Sequence, residues 1–206
     1  MDNHKLNWIG IRVSGDSRRG DIEEILLDAA LECPDDFRLA GLLFSWLKVH
    51  GKYVIVEKLR KLVSKTEMTA VQRGWISALA VYGKNNCSLK WKSLIEIPEE
   101  NTYLLPEKIS KSAIELKGSE EWLREYKILM PKGSLRIRDE DIMEPSHLIP
   151  KNHQYKNRYL FGPSWRADII TAIQGGCKTP TAIMKKIGCS YEPAYRVFHE
   201  YSLVKG

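Results

Sequence analysis

Apolar residues recur at intervals of three and four along much of this chain, and that spacing predicts helices. Ile22, Ile25, Leu26, Ala29 and Ala30 form one such run, which Pro34 ends. Leu39, Leu42, Leu43, Trp46 and Leu47 mark the next, "FRLAGLLFSWLKVHG", opened by an Asp35 or Asp36 cap and stopped at Gly51. "YVIVEKLRKLVSK" begins β-branched, yet Val56, Leu59, Leu62 and Val63 keep helical spacing. "TAVQRGWISALAVYGK" predicts a helix ending at Gly83, and "CSLKWKSLI" a shorter one. Residues 1–20 read as irregular, with "WIGIRVS" a short strand or extended arm and "SGDSRRGD" a loop.

The pattern weakens after residue 95. Pro98 and Pro106 bracket an acidic stretch that reads as a linker. "GSEEWLREYKIL" predicts a short helix capped by Ser119, with Glu120 and Glu121 in its first turn. "ILMPKGSLRIRDEDI" predicts a strand, a Lys-Gly turn and a second strand, a short β-hairpin near 128–138. "MEPSHLIPKNHQYKNRYLFGP" reads as a polar connector. The expected fold is mainly α: a helical N-terminal domain over 1–97, a linker with a short helix and the hairpin over 98–157, and a tri-helical module over 158–206.

Helical order returns at the end of the chain. Ser164 is expected to cap a helix through Gln174, with Trp165, Ile169, Ile170 and Ile173 inward and Gly175-Gly176 as the break. Thr179-Pro180 is a cap followed by proline at the first helical position. That helix is expected to bury Ala182, Ile183 and Ile187. Gly188-Cys189-Ser190 makes a tight turn, and Ser190 caps the final helix, whose first turn tolerates Pro193. Ala194, Val197, Phe198 and Tyr201 share one face of it. Ser190, Tyr191, Glu192, Tyr195, Arg196 and His199 share the other.

Charge sharpens this picture. The 206 residues carry a net charge of +6. From Lys151 onward nine Lys/Arg face three Asp/Glu, so the whole excess lies in the last quarter. A basic module beside a neutral body fits a polyanionic partner. Hydrophobic content of 43% supports a core, and no apolar run reaches membrane-span length. The N-terminus lacks the basic-then-apolar order of a secretory signal, and four scattered cysteines fit a reducing, cytoplasmic setting.

The stretch from the helix ending at Gly175-Gly176 through "TPTAIMKKIGCS" to "SYEPAYRVFHEYSLV" resembles the helix-turn-helix transcriptional regulators, and in particular the three-helix core of winged-helix proteins. Ala182, Gly188 and Ser190 match the family's small residue in helix two, turn glycine and opening Ser/Thr. The resemblance covers about forty residues. It implies duplex DNA as partner, with the final helix in a major groove. Ser190, Tyr191, Glu192, Tyr195, Arg196 and His199 would meet bases, and Lys178, Thr179, Lys185 and Lys186 would meet phosphates. Glu192 is awkward there unless it accepts from a cytosine amino group. Winged-helix proteins continue into a β-hairpin, whereas this sequence stops at Gly206. The module is therefore expected to be either wingless or cut.

No catalytic constellation stands out, and the chain is not expected to be an enzyme or to hold a cofactor or metal. Glu115-x-Lys117 has the spacing of a nuclease half-motif, but its flanks do not read as strands. Asp139, Glu140 and Asp141 read as a solvated turn. The histidines show neither HxH nor HExxH spacing. Two functions stay open. One is a DNA-binding transcriptional regulator or antitoxin-like repressor, with a homodimer and a protein partner on the N-terminal domain as further expectations. The other is a helical adaptor that binds no DNA.

Overall fold

The computed structural model of the protein describes residues 3–14 and 19–205. Residues 15–18, in the middle of the expected "SGDSRRGD" loop, lie outside that set. The chain is mainly helical. Its helices are α1 (Asn3–Ile9), α2 (Ile22–Glu32), α3 (Phe37–His50), α4 (Val56–Val63), α5 (Ala70–Asn86), α6 (Glu107–Lys117) and α7 (Glu121–Arg124). They continue with α8 (Pro145–Leu148), α9 (His153–Phe161), α10 (Trp165–Gln174), α11 (Pro180–Ile187) and α12 (Tyr191–Lys205). Two-residue strands β1 (Thr102–Tyr103) and β2 (Ile128–Leu129) accompany them.

Short polar side chains set most of the starts. Asp21 accepts from the amides of Glu23 and Glu24 to open α2, and Asp36 accepts from Arg38 and Leu39 to open α3. Thr69 and Gln72 form a capping box on α5. Asn152 accepts from Gln154 and Tyr155 to open α9. Two expected caps differ. Ser119 Oγ donates to the Met130 carbonyl at 3.1 Å, while Glu120 stands at the start of α7. Ser164 precedes α10, but its hydroxyl turns back toward Gly162 O at 3.5 Å.

One core holds Trp46, Trp75, Trp91 and Phe44, all fully buried. Leu104, Leu123, Ile128, Met130, Ile142, Leu148 and Tyr155 lie in that same core, so the stretch expected to be a linker is packed into the body. Burial on this scale, at roughly 25 cal/mol per Å² of apolar surface, makes the stretch part of what holds the body together. The N-terminal segment also differs from expectation. It forms α1, and Ile11 then bridges Ile142 in antiparallel fashion.

The expected hairpin near 128–138 is absent. Instead β2 pairs in parallel with β1, Thr102 opposite Ile128 and Tyr103 opposite Leu129. Pro131 has no amide to donate, which works against a ladder beyond Met130. The chain turns at Gly133 (φ 72°) and runs along α3. There the Arg138 amide donates to Ser45 Oγ at 2.8 Å. A methyl group at Gly41 would sit 2.9 Å from Arg136 O, so the close approach needs glycine.

Candidate functional site

The last three helices carry their own small core. Ile169, Ile170 and Ala172 of α10 meet Ile183 of α11, Cys189, and Ala194 and Val197 of α12. Phe198 and Tyr201 pack at its edge, as the inward face of the last helix requires. Thr179 caps α11, accepting from the Ala182 amide at 3.1 Å, with Pro180 next. Gly188 closes α11 in the left-handed conformation (φ 72°, ψ 17°), its amide donating to Met184 O at 3.0 Å. Ala182 departs from expectation. It is exposed, because Ile183, one step around the helix, fills the contact with α10, and Ile187 is only half-buried.

The outward face of α12 is open. Tyr191, Glu192, Tyr195, Arg196 and His199 are exposed, as is Ser190 just before them. Tyr191, Tyr195 and His199 stack at helical spacing, with ring centroids 5.9 Å and 4.2 Å apart. Arg196 lies 4.0 Å from Glu192, an exposed i,i+4 pair of small energetic value. Lys178, Lys185 and Lys186 are exposed too. They divide, however. Lys186 lines a groove on the side facing the body, over the end of α10.

The nine Lys/Arg from Lys151 onward do not act as one group in the fold. Arg158 is fully buried. Its guanidinium donates to both Glu23 oxygens at 2.6 and 2.7 Å, to both Asp168 oxygens at 2.9 and 2.8 Å, and to Tyr53 O at 2.9 Å. Lys58 enters the same node, 2.8 Å from Asp168 and ion-paired with Asp21. Gln154 donates to Asp21 and Asp168, and its oxygen accepts from the Ile22 amide. The Ile55 amide donates to Glu23. Arg166 is engaged elsewhere, 2.6 Å from Glu200.

Three carboxylates thus face two cations in an interior site that joins α2, α4, α9 and α10. The residual negative charge is eased by the Gln154 amide and by the α2 N-terminus at Asp21. Burial opposes ionisation of Asp168, but Arg158 and then Lys58 hold its carboxyl down at about 2. Burial would lower the Lys58 ammonium, and Glu23, Asp168 and Asp21 instead hold it above its usual range. Asp21, Glu23 and Asp168 have oxygens close enough together to grip a cation. The Lys58 ammonium already stands among them, which is the position a metal would take. Lys58, Gln154 and Arg158 were not among the sequence candidates. A polar face on α9 carries no hydrophobic signal, and a charged residue read singly gives no hint of burial.

No protein-family model, curated protein or solved structure matches the chain.

The enzyme motifs considered from sequence gain no support. Glu115 and Lys117 sit exposed near the end of α6, a helix, and not on the adjoining strands a nuclease needs. Asp139 pairs with Lys48 at 2.6 Å within a helical turn at Asp139–Asp141. Cys33, Cys87, Cys177 and Cys189 are unpaired thiols, and Cys33 is buried with its ionisation suppressed by desolvation. Among the described residues no helix is long and apolar enough to cross a membrane.

Proposed function

We propose that the chain binds duplex DNA through α10–α12, as a transcriptional regulator or antitoxin-like repressor. The observation that supports this most is the open face of α12, free of the body along Tyr191, Tyr195, Arg196 and His199. A tight left-handed turn at Gly188 sets that helix against α11. In this reading α12 enters a major groove, Tyr195, Arg196 and His199 reach base edges, and Lys178 and Lys185 bind flanking phosphates. Thr179 and Lys186 have smaller parts, since one caps α11 and the other faces the groove beside the body. A homodimer would present two such helices about 34 Å apart, one turn of the duplex.

Fluorescence anisotropy with a random duplex, titrated from low to high salt, tests the reading. Affinity should fall steeply with salt. Lys178→Glu with Lys185→Glu should weaken binding and reduce the salt slope by about two, one unit per phosphate contact. A folded protein with no affinity at low salt removes the proposal. The adaptor reading would then stand, and one observation favours it. The aromatic row Tyr191, Tyr195 and His199 runs on to Leu203, which is 83% exposed, and such a stripe also suits a protein partner.

A further inference from the structure

A groove of about 410 Å³ runs along the seam between α10–α11 and the body, bordered by α1, the start of α2 and the start of α9. Its volume lies within the ~300–1,000 Å³ typical of small-molecule sites. The floor is polar but satisfied. Asn152, Gln154 and Asp168 are buried there, and their hydrogen bonds go to Trp8 O, to the α9 amides and to the buried charge node. A guest would therefore find a rigid floor, and its polar partners would have to come from the walls.

The walls offer charges of both signs. Arg19, Lys186 and the Glu24 carboxylate all line the groove, and among the described residues no ion pair engages any of the three. Asp21, at the floor's edge, is already taken by Lys58 and Gln154, which leaves Glu24 as the negative wall. An anion alone would meet Glu24, and a cation alone would meet Arg19 and Lys186. A molecule bearing both charges can satisfy each wall. Beside them stands the Trp8 indole, its Nε1 donating to Gly20 O at 2.9 Å, which fixes the ring as an apolar face together with Ala172 and Ile187.

We infer that this seam groove binds a small zwitterion of the free α-amino-acid class, its carboxylate toward Arg19 and Lys186, its ammonium toward Glu24, and an apolar side chain against Trp8. The site holds residues from five helices or their flanks, so an occupant ties α10 and α11 to the body. Its binding is measured without DNA and does not depend on the DNA reading.

The test is isothermal titration of the full chain with each of the twenty free L-amino acids, backed by thermal unfolding. At least one amino acid with an apolar or aromatic side chain should bind. At a hundredfold excess over Kd it should raise Tm by roughly 5 °C or more. Its Nα-acetyl and carboxamide derivatives, each lacking one charge, should bind at least tenfold more weakly. Glu24→Gln and Lys186→Met should each weaken binding at least tenfold, with the ligand-free Tm within about 2 °C of wild type. Glu24→Gln is the safer of the two for folding, because its carboxylate holds no other side chain. The inference is overturned if none of the twenty binds at about 10 mM, a concentration at which even a millimolar Kd would register. Equal binding of the blocked derivatives, or wild-type affinity in Glu24→Gln, overturns it as well.

Discussion

His50 is a base kept neutral by its surroundings. Its Nε2 donates to Met143 O at 2.8 Å, its Nδ1 has no partner, and Trp46 and Tyr155 rings lie 5.5 and 5.2 Å away. Burial pushes its pKa down from 6.5 to about 4, against the raising effect of the Met143 carbonyl. The unfolded chain binds a proton at His50 at a higher pH than the folded chain does. The stability it contributes is therefore complete above pH 6.5 and is lost as pH falls to about 4. The shift is worth about 3 kcal/mol at most. Urea unfolding across that range should show stability falling with pH in the wild type, and His50→Gln should flatten the slope. Asp168, an acid where His50 is a base, also has its pKa pushed down, so its pH dependence has the same sign in a lower window. Its contribution is present above the ordinary carboxyl pKa of 3.8 and is lost as pH falls from there through about 2.

At the scale of elements, what the sequence displayed was hydrophobic spacing. Trp46 and Leu47 in α3, Trp75 and Leu79 in α5, and Ile169 and Ile170 in α10 all lie where their periodicity puts them. Elements without that signal were missed. The buried face of α9 includes Gln154, Asn157 and Arg158, and α6 buries only Ser110. The β1–β2 contact joins segments 26 residues apart through two residue pairs, too short for a pattern. Gly83 shows a subtler mismatch. It looked like a helix stop, yet α5 passes through it to Asn86. The glycine is there because any Cβ would overlap the buried Trp91 indole. Gly83→Ala should thus lower stability by about 1–3 kcal/mol by overpacking, in spite of alanine's better helix propensity. Equilibrium denaturation measures it, and a stabilised variant would contradict the packing account.

Across the whole molecule, the basic excess of the last quarter was legible as a number but not as a distribution. Arg158 lies inside, Arg166 faces Glu200, and Lys186 faces the seam. Fewer cations are left beside α12 than the count implies. The candidate reading face itself, Ser190 to His199, was legible because it is the complement of the apolar face. The charge node was not, because its members come from positions 21, 23, 58, 154, 158 and 168, whose proximity only folding creates. Arg158→Met should destabilise the chain by about 3–5 kcal/mol, since it leaves Glu23 and Asp168 buried with one cation between them. Tm should fall by roughly 6 °C or more, measured by calorimetry. A loss of under 1 kcal/mol would mean that the node relaxes around the gap.

The node also limits how this protein can be rebuilt or recombined. Asp168 sits in the first turn of α10, on the side of the last three helices that meets the body. Grafted onto another scaffold, those helices would bring an unmatched carboxylate to the junction. The donor body, given foreign helices, would keep two cations and two carboxylates sized for a third. A viable hybrid must therefore keep Asp21, Glu23, Lys58, Arg158 and Asp168 together, or replace the buried members, Glu23 included, with apolar residues at once.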